Sequence, residues 1–256
     1  YGDRATALSS QYEKSPFYSL LNGTWKFYFV DSYKALPANI TDPSVSTSDW
    51  DDITVPGNWE VQGHGTAIYT NHGYEFKPRN PQPPLLPEAN PVGVYRRDFE
   101  VPAGWDGRDI YLHIAGAKSG LYVYVNGKEV GYSEDSKNPA EFLINKYLQP
   151  GKNVLTLKIF RWSTGSYLEC QDFWRLSGIE RDVYLWSQPK IAVNDYRIVS
   201  TLDDTYKNGI FSLAIDIKNH SDKVKNIDVT YELLDAKGNV AATAVNKLRV
   251  RPKTIT

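Results

Sequence analysis

Leu121-Tyr-Val-Tyr-Val-Asn-Gly-Lys-Glu-Val-Gly-Tyr132 decides the fold class. Leu121, Val123 and Val125 alternate with Tyr122 and Tyr124, the period of a strand with one face toward a core. Asn126-Gly127 follows, a pair that accepts the positive φ angles a tight hairpin requires, and Lys128 to Tyr132 returns as the second arm. The same period recurs on both sides. Trp25, Phe27 and Phe29 alternate with Thr24, Lys26 and Tyr28 after another Asn-Gly pair, Asn22-Gly23. Ile53 to Val55 is a short strand stopped by Pro56; Val92 to Val101, Asp109 to Ile114 and Val183 to Trp186 are strands; Leu155, Leu157 and Ile159 alternate with Thr156 and Lys158. Phe142 to Leu148 suggests a helical turn closed by Pro150-Gly151. No long helical period occurs in residues 1–188, so this part is expected to be an antiparallel β-sandwich of jelly-roll type, with residues 1–20 as a surface lead-in.

Two segments break the pattern. Val55 to Tyr74 carries glycines and almost no periodicity, as irregular backbone that approaches something closely does. The segment with Pro78, Pro81, Pro83, Pro84, Pro87 and Pro91 cannot sustain a hydrogen-bonded ladder and is expected to be an ordered, extended covering loop. Past Gln188-Pro189 the texture is plainer. Ile191 to Thr201, the alternating Phe211 to Ile217 and Ile227 to Leu233, and Val240 to Val250 give about four strands, the start of an immunoglobulin-like sandwich that normally needs about seven. The expected organisation is therefore all-β, with a jelly-roll domain over residues 1–188 and an incomplete immunoglobulin-like domain over residues 189–256. The unfinished second domain and the absence of Met, even at position 1, point to a processed, trimmed or excerpted chain.

Composition narrows the function. The 256 residues have a net charge of −1 with dispersed basic groups, which argues against nucleic acid or an anionic membrane as partner and toward a neutral ligand. Seven Trp and eighteen Tyr suit an aromatic-rich β protein and equally a sugar binder, in which rings stack on pyranose faces. No apolar run is long enough to span a membrane as a helix. Cys170 is the single cysteine, so no internal disulfide forms and the compartment stays open, cytoplasmic or periplasmic if bacterial. His64, His72, His113 and His220 are too scattered for a zinc site, and Gly165-Ser166 lacks the rest of a nucleophile elbow.

The long connection Arg161 to Ile179 concentrates polar and aromatic groups, as functional loops on rigid β frames do. Its carboxylates, Glu169 and Asp172, stand three apart. They are poor candidates for a glycosidase pair, whose carboxyls face each other across a sugar at about 5 to 9.5 Å. A turn bond or an ion pair with Arg161, Arg175 or Arg181 is the alternative for each. One carboxylate alone can accept sugar hydroxyls or ligate a hard cation.

Five motifs in register, Leu21-Asn-Gly-Thr-Trp-Lys-Phe27, Val55-Pro-Gly-Asn-Trp-Glu60, Ile68-Tyr-Thr-Asn71, Arg161-Trp-Ser-Thr-Gly-Ser-Tyr-Leu-Glu169 and Gln171-Asp-Phe-Trp-Arg-Leu-Ser-Gly-Ile179, resemble the amino-terminal third of bacterial β-galactosidases of glycoside hydrolase family 2. The resemblance implies a jelly-roll sugar-binding domain, an immunoglobulin-like domain, and then a catalytic TIM barrel that carries both catalytic glutamates. No catalytic residue is therefore expected in this chain. It further implies that Asn71 reaches into the galactose pocket and that Asp172 binds substrate and ligates a sodium ion held against the galactose 6-hydroxyl. Thr164 stands where some relatives have an Asp that helps hold magnesium, so no magnesium site is expected here, while the intact enzyme is left open in that respect. His72 follows Asn71 in place of a small apolar residue and is expected to be exposed; Cys170 replaces an acidic residue and is a bystander. Trp59, Trp162, Tyr167 and Trp174 are expected to pack the loops, with Glu169 as structural support. The implied partners are β-galactosides, the remaining domains of the polypeptide and, for the intact enzyme, further copies of itself. A stand-alone carbohydrate-binding module and the front end of a β-glucuronidase or β-mannosidase remain as alternative readings.

Overall fold

A computed structural model describes residues 1–76 and 80–255; Pro78 of the proline-rich segment lies outside the described residues. The chain is all-β and divides into two compact units, Tyr1–Asp106 with Ile110–Ser187, and Gly107–Asp109 with Gln188–Thr256.

The first unit contains a six-stranded antiparallel sheet in the order Lys128–Ser133, Gly120–Val125, Lys152–Phe160, Val92–Glu100, Gly23–Val30, Asp51–Val55. A four-stranded sheet runs Tyr18–Leu20, Val183–Gln188, Asp109–Ile114, Ala140–Leu143. The alternating residues fill the space between them. Trp25, Phe27, Leu121, Val123, Leu155 and Leu157 from the large sheet meet Leu112, Ile114, Val183 and Leu185 from the small one in a single buried cluster. Each such side chain contributes about 1.5–3 kcal/mol of burial, so the two apolar faces are what hold the sandwich closed.

The hairpin behaves as its turn residues demand: Asn126 and Gly127 both have positive φ, 51° and 76°, and Lys128 pairs with Val125. The outer face of the large sheet is also covered in part. Arg96 donates to the carbonyls of Val45, Ile40 and Asp42 at 2.8, 2.6 and 3.0 Å and lies 4.9 Å from the Trp50 ring, pinning the connection after Val30 over Val92 and Val94.

Several short elements lie where the sequence suggests only coil. A helix, Arg4–Ser9, capped by Asp3, and a strand, Tyr18–Leu20, occupy the lead-in. The Phe142–Leu148 stretch divides into the end of a strand, Ala140–Leu143, and a 3-10 turn, Asn145–Tyr147. Inside Val55 to Tyr74 lie the strands Gly57–Asn58 and Ile68–Thr70, and inside the Arg161 to Ile179 connection lie Phe173–Arg175 and Gly178–Ile179. Two or three residues give no measurable period, so these pairings depend on distant partners.

In the second unit Ile191–Leu202 pairs with Gly209–Asn219, which also meets Thr254–Ile255, and Lys225–Leu234 pairs with Val240–Val250. Ile217 and Val250 are buried, whereas Ile198, Ile210 and Val245 are exposed. Alternation is present here, but only part of the apolar face is covered.

Candidate functional site

The connection from Arg161 to Ile179 is fastened from below by buried charge. Arg161 and Arg175 are 4% and 2% exposed. Arg161 donates through Nη2 to the carbonyl of Thr66 at 2.9 Å and to that of Arg175 at 3.3 Å, and its Nη1 lies 3.6 Å from Glu60 Oε1. Arg175 donates to the Glu169 carbonyl at 3.1 Å, and its Nε is 3.6 Å from Glu75 Oε2. Glu60 in turn accepts from the Ser177 amide at 2.8 Å. Burial pushes the Glu60 carboxyl up and the Arg161 guanidinium down, each toward its neutral form, and their mutual attraction opposes both shifts.

The start of the loop is held from the side. Ser163 opens a 3-10 turn, Thr164–Tyr167, through a reciprocal hydrogen-bond pair with Ser166. Glu134 accepts from Thr164 Oγ1 and the Gly165 amide. Burial raises the Glu134 carboxyl, but these bonds outweigh it, and the group lies below its ordinary range. The Glu169 carboxylate accepts from the amide and hydroxyl of Ser136 at 3.1 and 2.7 Å, so it supports the loop through Ser136 rather than through an arginine.

On this base two short strands pair. Phe173–Arg175 runs antiparallel to Ile68–Thr70, with Arg175 opposite Ile68, Trp174 opposite Tyr69 and Phe173 opposite Thr70. The next positions along that register are Asp172 and Asn71, so residues 101 apart in sequence are delivered to one end of one ladder. Both are exposed. Tyr69 donates its hydroxyl to Asp172 Oδ1 at 2.6 Å, which raises the Tyr69 phenol above its ordinary range. Asn71 Oδ1 lies 2.8 Å from Nδ1 of the exposed His72.

The aromatic residues divide. Trp59 is fully buried, Tyr167 is buried, and the half-buried Trp162 donates to Glu75 at 2.9 Å; these are packing residues. Trp174 is not. Its ring is 54% exposed and meets Tyr69, 55% exposed, at 5.7 Å between centroids. Strand alternation sends Phe173 inward to meet Lys118 and Arg175, each 5.0 Å from the ring, and Trp174 outward beside Asp172. Cys170 donates to the Gly73 carbonyl, and burial raises its thiol, which disfavours the thiolate.

The sequence leads to Asn71 and Asp172 but passes over Tyr69, Glu60, Glu75 and Lys118. Tyr69 is visible only as an aromatic two residues before Asn71; the other three are buried charges whose partners are far away in sequence.

A cavity of about 430 Å³ on this unit is lined by Tyr33, Tyr122, Tyr132, Phe160 and Glu134 among others, and includes neither Asn71 nor Asp172. Asn71 and Asp172 are solvent-exposed and stand apart from that cavity. Among the described residues no group of three or more His, Cys, Asp or Glu could surround a metal ion. Asp172 has one carboxylate oxygen engaged by Tyr69 and takes no other hydrogen bond among the described residues. That fits a contributor to a hard-cation shell, whose several oxygens would have to come largely from elsewhere.

The family described as glycosyl hydrolases family 2, sugar binding domain, matches residues 18–189. A β-galactosidase of Priestia megaterium is 41% identical over 230 residues, covering 89% of this chain and 22% of that protein. A β-galactosidase of Vibrio cholerae is 40% identical over 222 residues, covering 87% of this chain and 21% of the relative. The chain thus spans about a fifth of the length of these curated relatives. A solved Bacteroides uniformis β-glucuronidase superposes with a TM-score of 0.73 at 20% identity, over 93% of this chain and 26% of that one, a likeness of fold alone.

Proposed function

The chain belongs to glycosyl hydrolase family 2, and from that premise we propose that it is the non-catalytic amino-terminal part of a β-galactosidase. The whole enzyme would hydrolyse terminal β-galactosides with retention, through a covalent glycosyl intermediate on carboxylates that lie outside this chain. The observation that carries the reading is the ladder of Ile68–Thr70 with Phe173–Arg175, which brings the exposed Asn71 and Asp172 to the same end of one strand pair. An amide and a carboxylate together offer a donor and acceptors to a neutral sugar. Two exposed groups at one strand end suit one wall of a pocket completed by other domains of the same polypeptide.

Asp172 would supply a carboxylate oxygen to a sodium ion, and such an ion fixes a hydroxymethyl oxygen electrostatically. Asn71 would hold a ring hydroxyl through its amide. Charge also favours galactoside over glucuronide, since a uronate brought to this surface would meet the like charge of the exposed Asp172.

The reading is tested by assaying a chromogenic galactoside and a chromogenic glucuronide with the full-length protein and with this chain alone. Galactoside turnover by the full-length protein and none by the chain is expected. Glucuronide turnover, or turnover by the chain alone, would overturn it. Titrating galactose into the isolated chain should give no sub-millimolar binding; if it does, the stand-alone module is the better account.

A further inference from the structure

We propose that Tyr69 is a positioning residue that fixes the Asp172 carboxylate for its ligand. The inference rests on Asp172 being a ligand-binding residue, and it extends the reading to a side chain that need not touch the ligand.

An aspartate at the exposed end of a short strand has nothing of its own to choose among its rotamers. Here one contact does so: the Tyr69 hydroxyl donates to Oδ1 at 2.6 Å, a short bond to an ionised acceptor. Tyr69 can act as a post because its own ring packs on a neighbour across the ladder. It is opposite Trp174 in the ladder, and the two rings meet at 5.7 Å with an interplanar angle of 59°. A tyrosine has only two side-chain torsions, so one ring contact leaves it few positions. The phenol has one proton to give, so one oxygen of Asp172 is engaged and the other takes no hydrogen bond from the described residues.

The geometry also explains why the donor is neutral. A lysine or arginine in the place of Tyr69 would pair with Asp172 and compete with any cation for its negative charge. A phenol orients the carboxylate and leaves its charge available.

Tyr69→Phe keeps the ring against Trp174 and removes only the donor. In the full-length enzyme, sodium affinity is measured by sodium-23 NMR relaxation and by the sodium dependence of KM for a chromogenic galactoside. The expected result is sodium binding about 10-fold weaker, the scale seen when an outer-shell partner of a metal ligand is removed, with kcat at saturating sodium nearly unchanged and the melting temperature native. Native sodium affinity in Tyr69→Phe, with Asp172→Asn abolishing sodium binding, would overturn the positioning role and leave the reading of Asp172 intact. Sodium binding that survives Asp172→Asn would overturn both. A crystal structure of Tyr69→Phe with the Asp172 carboxylate in an unchanged rotamer would also overturn the inference.

Discussion

Asn71 and Asp172 occupy the first register positions past a two-stranded ladder whose last pair is Thr70 opposite Phe173. Both side chains are exposed, so replacing them should change function without unfolding the sandwich. In the full-length enzyme Asp172→Asn is expected to lower kcat/KM for a galactoside by about 100-fold, and Asn71→Ala by about 10-fold. Steady-state kinetics beside thermal melting checks both; a loss matched by a large fall in melting temperature would count against the assignment.

Trp174 should separate stability from binding. With 54% of its surface exposed, Trp174→Ala is expected to move stability by no more than about 0.5 kcal/mol while raising KM for the galactoside. A destabilisation of several kcal/mol in urea unfolding would restore the packing role expected from the sequence.

Arg161 is the opposite case. Its guanidinium is the charge facing the buried Glu60, so Arg161→Met leaves a carboxylate enclosed without its counterion. The cost should be about 3–5 kcal/mol, and adding Glu60→Gln should recover part of it. A double-mutant cycle by denaturant unfolding measures the coupling, and additive single effects would show that the two do not interact.

Gly93 has no room for a methyl group. A Cβ there would stand 2.7 Å from Phe27 Cε2 and from two ring atoms of Trp59, all in the dry core. Gly93→Ala should therefore cost about 1–3 kcal/mol, seen as a melting temperature lower by several degrees. An unchanged melting temperature would mean that the core yields more easily than its packing implies.

Asp203 should govern the acid limit of the connection between Ile191–Leu202 and Gly209–Asn219. Its carboxylate accepts from the side chains of Asn208 and Thr205 and from the amides of Lys207 and Asn208, which pull its pKa down to about 2. A folded value below the unfolded one, about 3.9, means that the stabilisation is complete above pH 4 or so and is lost as pH falls toward about 2. NMR titration of the Asp203 carboxyl, with amide exchange at Thr205 to Asn208, follows the loss directly. Titration at an ordinary carboxylate value would refute it.

What the sequence determined by itself is the frame and two candidate residues at the end of one short ladder. Strands such as Gly23–Val30 and Lys152–Phe160 are long enough for a period of two to show, and Asn126-Gly127 admits few turns other than the hairpin it makes, because both facts are local. Asn71 and Asp172 were legible through motifs, without any indication that they stand at the same end of one ladder. Tertiary structure decided that placement, since a strand of three residues carries no period and Ile68–Thr70 acquires its conformation from a partner about a hundred residues away. It also decided which aromatics pack and which face outward: one ladder turns Phe173 toward Lys118 and Arg175 and Trp174 to solvent. Buried charge was the least legible of all. Glu60 and Arg161 are ordinary polar residues in the chain, and only the enclosure that removes water makes each depend on the other.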